Sequence, residues 1–265
     1  MDIFKINREI AYTGQVGAQR KRFCIDYIDR KCKILDEMTQ AQHREARAKG
    51  ERITCTKGCF FCCLLHLEAT IQECEAIVYY LYQHEDALRN FLKKYPRWRN
   101  RIRENGDMFK ELAELSREVF SFQFEHGEIG TEYVLRKQEA FSQAQARYAS
   151  QNIYCPFLED NLCSIYEVRP YNCAGFYATT PPEWCNPSSQ HEPKIYRSEL
   201  SSEVIFDLSF YHNSLRAPVF TFMPLAVYEI LSGGYGYLST IPGFENLERE
   251  FVKDPEIKEY LLKYM

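Results

Sequence analysis

Four thiols fall within nine residues in "CTKGCFFCC" at 55–63. Three more lie far downstream in "CPFLEDNLCSIYEVRPYNC" at 155–173, followed by Cys185 in "PPEWCNP". Cys63 and Cys155 are 92 positions apart, so a shared site requires the chain to leave one thiol-rich stretch and return to it. Ligands that remote are tied together only in the folded state, and metal bound between them would act as folding energy. The chain does not need such a staple for want of size. At 265 residues it is long enough to bury roughly 70% of its unfolded surface.

Disulfides explain the sulfur poorly. Eleven cysteines is an odd number, so they cannot all pair with one another. The start, "MDIFKINREI", lacks the basic start and apolar run of a secretory signal. The most apolar window, "APVFTFMPLAVYEIL" at 217–231, is shorter than the ~18 residues that span a bilayer and contains Pro218, Pro224 and Glu229. We expect a soluble, cytoplasmic protein with reduced thiols, no membrane partner, and a buried helix in that window. A net charge of −4 argues against nucleic acid as a partner. A protein or small-molecule substrate fits better. With 19 Tyr and 18 Phe, the core should be rich in flat rings.

Hydrophobic spacing predicts a mainly α fold, a helical bundle-like domain with irregular Cys-rich loops converging on a metal site. Helices are expected over 17–49, ending before Gly50, and from 70 to Tyr95, where Pro96 should stop the run. "TIQE" at 70–73 reads as a capping box with Thr70 as N-cap and Glu73 three residues on. Further helices are expected over 107–126, 131–150, 195–212, 218–232 and 244–264. The expected organisation is a single domain over 1–265. Residues 50–185 form its cysteine-cluster core with a helical insertion at 70–150, and 195–265 form a C-terminal helical part.

Short C-x2-3-C spacing lets two thiolates converge on one ion or on neighbouring corners of a cluster, and Gly58 permits the tight turn before Cys59. Adjacent Cys62 and Cys63 diverge by roughly 100° in a helical turn, which suits different irons or two separate sites better than one tetrahedral ion. Four arrangements remain open. One [4Fe–4S] cluster would use up to four thiolates. Two four-coordinate sites would use all of Cys55, Cys59, Cys62, Cys63, Cys155, Cys163, Cys173 and Cys185. A single structural zinc would take four, and the fourth arrangement is merely buried thiols. The Cys-only donors, their aromatic neighbours (Phe60, Phe61, Tyr154, Phe157, Tyr166) and Cys155-Pro156 tilt the choice toward iron.

Outside the cluster, Cys24, Cys32 and Cys74 read as core thiols. Arg169 could donate to a cluster sulfur or hold an anionic cofactor or substrate, or it could pair with Glu167 or Asp160. Tyr166 and Tyr171 should pack over the site. His66 could ligate through its imidazole, but a core or surface histidine is the commoner case. "KKYPRWRNRIR" at 93–103, "RKR" at 20–22 and "DRKCK" at 29–33 read as solvated charge. "GGYGY" at 233–237 reads as a weak glycine-rich loop.

The two thiol segments, above all C-P-F-L followed by C-S-I-Y-E-V-R-P and a third cysteine, resemble the CxxCxxCC, or YkgJ-like, family of zinc- or iron-chelating cysteine-cluster domains. That family includes flagellin lysine N-methylases. The resemblance spans roughly 50–185 and implies metal ligation by Cys55, Cys59, Cys62, Cys63, Cys155, Cys163 and Cys173. It also implies, for methylase-like members, a [4Fe–4S] cluster and S-adenosylmethionine. Two departures stand out: the first gap is three residues rather than two, and no glycine follows Cys59. Two functions compete. One is a cluster-dependent enzyme, a methyltransferase or oxidoreductase. The other is a non-enzymatic zinc scaffold or metal-handling module.

Overall fold

The computed structural model describes residues 14–126, 132–197 and 220–238. The fold is mainly α, with strands only two or three residues long among the described residues. Helix α1, Gly14–Ala48, is 35 residues long. It ends in a Schellman turn: Glu51 N–H bonds to the Ala46 carbonyl at 2.8 Å and Gly50 N–H to that of Arg47 at 3.0 Å. Gly50 holds φ +72 there, a left-handed position that a side chain resists.

Strand β1, Glu68–Thr70, runs directly into α2, Ile71–Gln83. The capping box is formed as the sequence predicts: Thr70 Oγ1 accepts from the Glu73 N–H, and the Glu73 carboxylate accepts from the Thr70 N–H at 2.9 Å. Every residue from Ile71 to Val78 is buried, which makes α2 the central helix, packed against α1 and the later helix Met223–Leu238.

The expected single helix from 70 to Tyr95 is instead two, and Pro96 ends neither. The chain breaks at His84, whose φ/ψ of −126/78 is not helical. Helix α3, Glu85–Glu104, then carries Pro96 in its interior. Glu85 and Asp86 in the first turn favour a fresh helix N-terminus at this point. Proline costs about 3 kcal/mol inside a helix. The apolar face of α3 (Leu88, Phe91, Leu92, Tyr95, Trp98 and Ile102, all buried) offsets that cost.

Helices α4, Gly106–His126, and α5, Glu132–Ala149, pack as an antiparallel pair, with ion pairs Glu111–Arg147 and Glu118–Lys137 across it. Beyond α5, β2 (Leu158–Glu159) and β3 (Leu162–Cys163) form a two-residue hairpin. Its turn residues Asp160 and Asn161 take φ +47 and +64, as a primed turn requires. A one-turn helix, α6 (Tyr171–Ala174), leads into β4, Phe176–Ala178.

Residues 195–197, expected to open a helix, form strand β5, Ile195–Arg197, paired antiparallel with β4. The rest of the 195–212 expectation, and all of 244–264, lie outside the described residues. Similarly, β6, Phe220–Phe222, pairs with β1 before α7, Met223–Leu238, begins. Pro224 is accommodated in the first turn of α7, where its missing N–H has no partner to lose. The glycine-rich 233–237 stretch falls within α7 and is not a loop. Among the described residues, no helix is long and apolar enough to cross a membrane.

The main core gathers α1, α2, α3, α7 and the aromatic residues between them. Phe91 stacks on Phe157 at 4.4 Å, and Tyr95 on Tyr228 at 4.0 Å. Phe157 thereby anchors the second thiol segment to the helical body.

Candidate metal centre

The two thiol segments meet. The Cys155 N–H donates to the Cys63 carbonyl at 2.9 Å, joining residues 92 apart in sequence. The early segment is pinned by Thr54, whose N–H and Oγ1 both donate to the Ala178 carbonyl, at 2.8 and 3.0 Å. Cys59 N–H closes a turn onto Thr56 O at 3.0 Å, and Gly58 within it takes φ +101, so the glycine is required by the backbone path. Phe61–Leu64 then makes one 3-10 turn that holds Cys62 and Cys63. It packs against a second 3-10 turn, Pro182–Cys185, which brings in Cys185. A third, Tyr166–Val168, separates Cys163 from Cys173, whose N–H bonds to Pro170 O at 2.9 Å.

All eleven cysteines are free thiols. Eight form one continuous array with Cys62 at its centre. Cys155, Cys163, Cys173 and Cys185 each feel the charge of Cys62. Cys63 also feels Cys155 and Cys163, while Cys55 feels Cys59 and Cys185.

Two pairs share protons. A hydrogen bond from Cys55 draws Cys59 down to about 6, against the opposing effect of burial. Cys55, the donor, is pushed up by that bond and by burial, although the Ala178 N–H reaches its Sγ at 3.1 Å. Cys63 similarly donates to Cys62, so Cys62 falls and Cys63 rises. Burial pushes Cys155, Cys163, Cys173 and Cys185 upward. As thiols the side chains face one another in hydrogen-bonded pairs. Among the described residues, no three Cys, His, Asp or Glu side chains yet stand in metal-holding geometry. Ligation needs deprotonation and rotation of these sulfurs toward a common point. The donor set, eight soft sulfurs and no disulfide, fits zinc or iron.

The other expected residues separate clearly. Arg169 lies beside the array and lowers Cys62 and Cys163 by its charge. Its NH1 donates to Tyr166 O at 3.0 Å, and among the described residues it pairs with neither Glu167 nor Asp160. Tyr171, expected over the site, is instead buried against Ile34 and Leu35 of α1. His66 is a core residue. It stacks on Phe222 at 4.3 Å, and its Nε2 lies 3.2 Å from Glu68 Oε1, while the other Glu68 oxygen accepts from the Ser116 hydroxyl. Cys24 and Cys74 are fully buried, but Cys32 is half-exposed and donates to Glu167 O at 3.6 Å. The basic run on α3 turns Arg97, Arg101 and Arg103 to solvent while Trp98 points inward.

Lys31 overturns the solvated reading of "DRKCK". It is 1% exposed, paired with Glu73 at 3.3 Å, and bonded to the Val168 carbonyl at 3.2 Å. Its placement four residues after Tyr27 and three before Ile34, on the apolar face of α1, is the sequence signal for this.

The family pattern described as a "putative zinc- or iron-chelating domain" and named CxxCxxCC matches residues 54–193, more than half of the chain. The chain belongs to the CxxCxxCC family. The matched span contains all eight sulfurs of the array, from Cys55 to Cys185, and leaves α1 with Cys24 and Cys32 outside. The first CxxCxxCC gap is lengthened here by one residue, and Gly58 takes up the extra length in a tight turn. No curated protein and no solved structure matches the chain.

Proposed function

We propose that the protein is a thiolate-ligated iron–sulfur protein, [4Fe–4S] in type. Its ligands are drawn from Cys55, Cys59, Cys62, Cys63, Cys155, Cys163, Cys173 and Cys185, within the cysteine-cluster core at 50–185. It works in a reducing compartment such as the cytoplasm, with a redox or methyl-transfer role toward a protein or small molecule. The observation that carries the reading is the continuous array of eight thiols around Cys62. One zinc ion or one [4Fe–4S] cluster would each take four of the eight, so two centres meeting at Cys62 use the array most fully, and the all-sulfur donors with their aromatic neighbours favour iron. An iron–sulfur centre supplies one-electron chemistry, with the surrounding burial and hydrogen bonds to sulfur setting its potential. Around it the chain's own residues shape the pocket: Phe157 and Ile165 are buried beside the inner thiols. Methyl transfer would require a bound donor such as S-adenosylmethionine.

A closed zinc site on a non-enzymatic scaffold is the second reading. The half-exposed group Cys55, Cys59 and Cys185, completed by Cys62, supplies the four thiolates it needs. Anaerobic purification separates the two. Brown protein containing iron and acid-labile sulfide supports the first; colourless protein with stoichiometric zinc overturns it. Cys62→Ser and Cys63→Ser should each lower bound metal, and unchanged content in both would remove the adjacent pair from the ligand set.

A further inference from the structure

Tyr166 lies between Cys163 and Cys173, and two cations sit against its ring. The Arg169 guanidinium is 3.8 Å from the ring centroid and the Lys57 ammonium 5.5 Å. They arrive from different thiol segments, since Lys57 belongs to the Cys55–Cys59 loop. Arg169 is fixed further by its NH1 bond to the Tyr166 carbonyl at 3.0 Å. Among the described residues neither cation forms an ion pair with a carboxylate.

The ring's negative face attracts each cation, but the two cations repel one another, and an anion held between them relieves that repulsion. The thiols account for part of this, because the charge of Arg169 is felt by Cys62 and Cys163. They do not account for Lys57, which is exposed and is not among the cations that lower the thiols. With one guanidinium nitrogen spent on Tyr166 O, the remaining N–H fork is free, and its planar geometry matches a carboxylate. Apolar side chains flank the same loop. Phe60, three residues after Lys57, stacks on Phe61 at 4.9 Å and leans on the exposed Tyr154 at 6.1 Å. Exposed Leu162 approaches the side of Gly58 where a side chain would stand, next to Lys57 in the chain.

We infer that Arg169 and Lys57, held on Tyr166, form a carboxylate site at the edge of the thiol array, taking a small organic acid with an apolar or aromatic body. The inference rests on the metal-centre reading, to which it adds the class of molecule brought beside the centre. Tyr166 sets the guanidinium plane by stacking, Arg169 grips the carboxylate in two bonds, and Lys57 adds a point charge.

The test is calorimetric titration of benzoate, with neutral benzamide as control, into the protein as purified with its metal content measured alongside. Saturable benzoate binding is expected, with benzamide at least tenfold weaker. Arg169→Gln should weaken benzoate at least tenfold at unchanged metal content, and Lys57→Gln several-fold. Arg169→Lys should not restore binding, since a point charge lacks the planar fork. Equal benzoate affinity in Arg169→Gln, or equal binding of benzamide, would overturn the site, as would absence of saturable binding. Loss of metal in Arg169→Gln would also overturn it, because the arginine would then serve the centre itself. Wild-type protein devoid of metal would sink the metal reading instead, and that result is read from the metal assay alone.

Discussion

The ammonium of Lys31 lies 3.3 Å from the carboxylate of Glu73, and both side chains are 1% exposed. The pair is a clasp between three parts of the chain. Glu73 also accepts from the Thr70 N–H at 2.9 Å and, through its other oxygen, from the Tyr171 N–H at 2.7 Å. Lys31 donates to the Val168 carbonyl at 3.2 Å. The backbone on both sides of Arg169-Pro170 is therefore gripped by one buried ion pair, three residues before Cys173.

Removing one partner of a buried pair strands the other charge, at about 3–5 kcal/mol. Lys31→Met should accordingly lower the free energy of unfolding by about that amount in urea titration. The double variant Lys31→Met/Glu73→Gln should recover part of the loss, since glutamine is neutral and can still accept from one N–H. An unchanged midpoint in Lys31→Met would show that the pair contributes nothing.

Pro96 tests a different balance. It sits inside α3 with its side chain exposed, so alanine can replace it without disturbing the core. Restoring the missing N–H and removing the ring clash should stabilise the protein by about 1–3 kcal/mol, within the range that helix propensity allows. Thermal denaturation of Pro96→Ala reads this directly. A fall in midpoint would mean that the helix has adapted its packing to the proline.

These two residues also mark where the sequence was and was not legible. Local signals transferred well: the Thr70–Glu73 capping box, the stop at Gly50 and the α4–α5 pair all follow from a few adjacent residues. Pro96 misled because its local preference was outweighed by six buried side chains on one helix face. Residues 195–197 and 220–222 became strands only because β4 and β1 lie beside them, and no local pattern encodes a partner. The meeting of the two thiol segments could be inferred from their chemistry, yet its hinge, the Cys155–Cys63 backbone bond, depends on the packing of Phe157 against Phe91. Lys31 was misread because its charge was considered without its register on α1.

Glu75 makes stability depend on pH. It is fully buried, and desolvation pushes its carboxyl well above the usual carboxylate range. The unfolded chain ionises near pH ~4.3 while the folded one stays protonated, so folding takes up a proton above that pH. Its contribution to stability is complete below the unfolded value and is lost as pH rises toward the folded one, at up to about 1.4 kcal/mol per pH unit. Glu75→Gln keeps the shape and removes the ionisation. The variant should match wild type at about pH 4 and below, and exceed it increasingly toward pH 8 in denaturant titrations. Parallel pH profiles would mean that Glu75 is charged in the folded protein.

Cys59 should be the first thiol to react in the metal-free protein. The hydrogen bond from Cys55 lowers it to about 6, and the Phe61 backbone N–H helps, while burial and Glu183 oppose. At pH 7 it is then mostly thiolate, while Cys55 and Cys63 remain protonated. Mass-spectrometric mapping after brief iodoacetamide treatment should find Cys59 alkylated ahead of the other ten cysteines, with a rate profile whose midpoint lies near 6. Cys55→Ala removes the donor, and the midpoint should move toward the ordinary thiol value of about 8.5. The rate at pH 7 is a poor readout of this change. A lower thiolate fraction is largely offset by the greater nucleophilicity of a more basic sulfur, so the two effects nearly cancel. The midpoint carries no such compensation. If Cys55→Ala leaves it near 6, the low value comes from elsewhere than the Cys55–Cys59 pair.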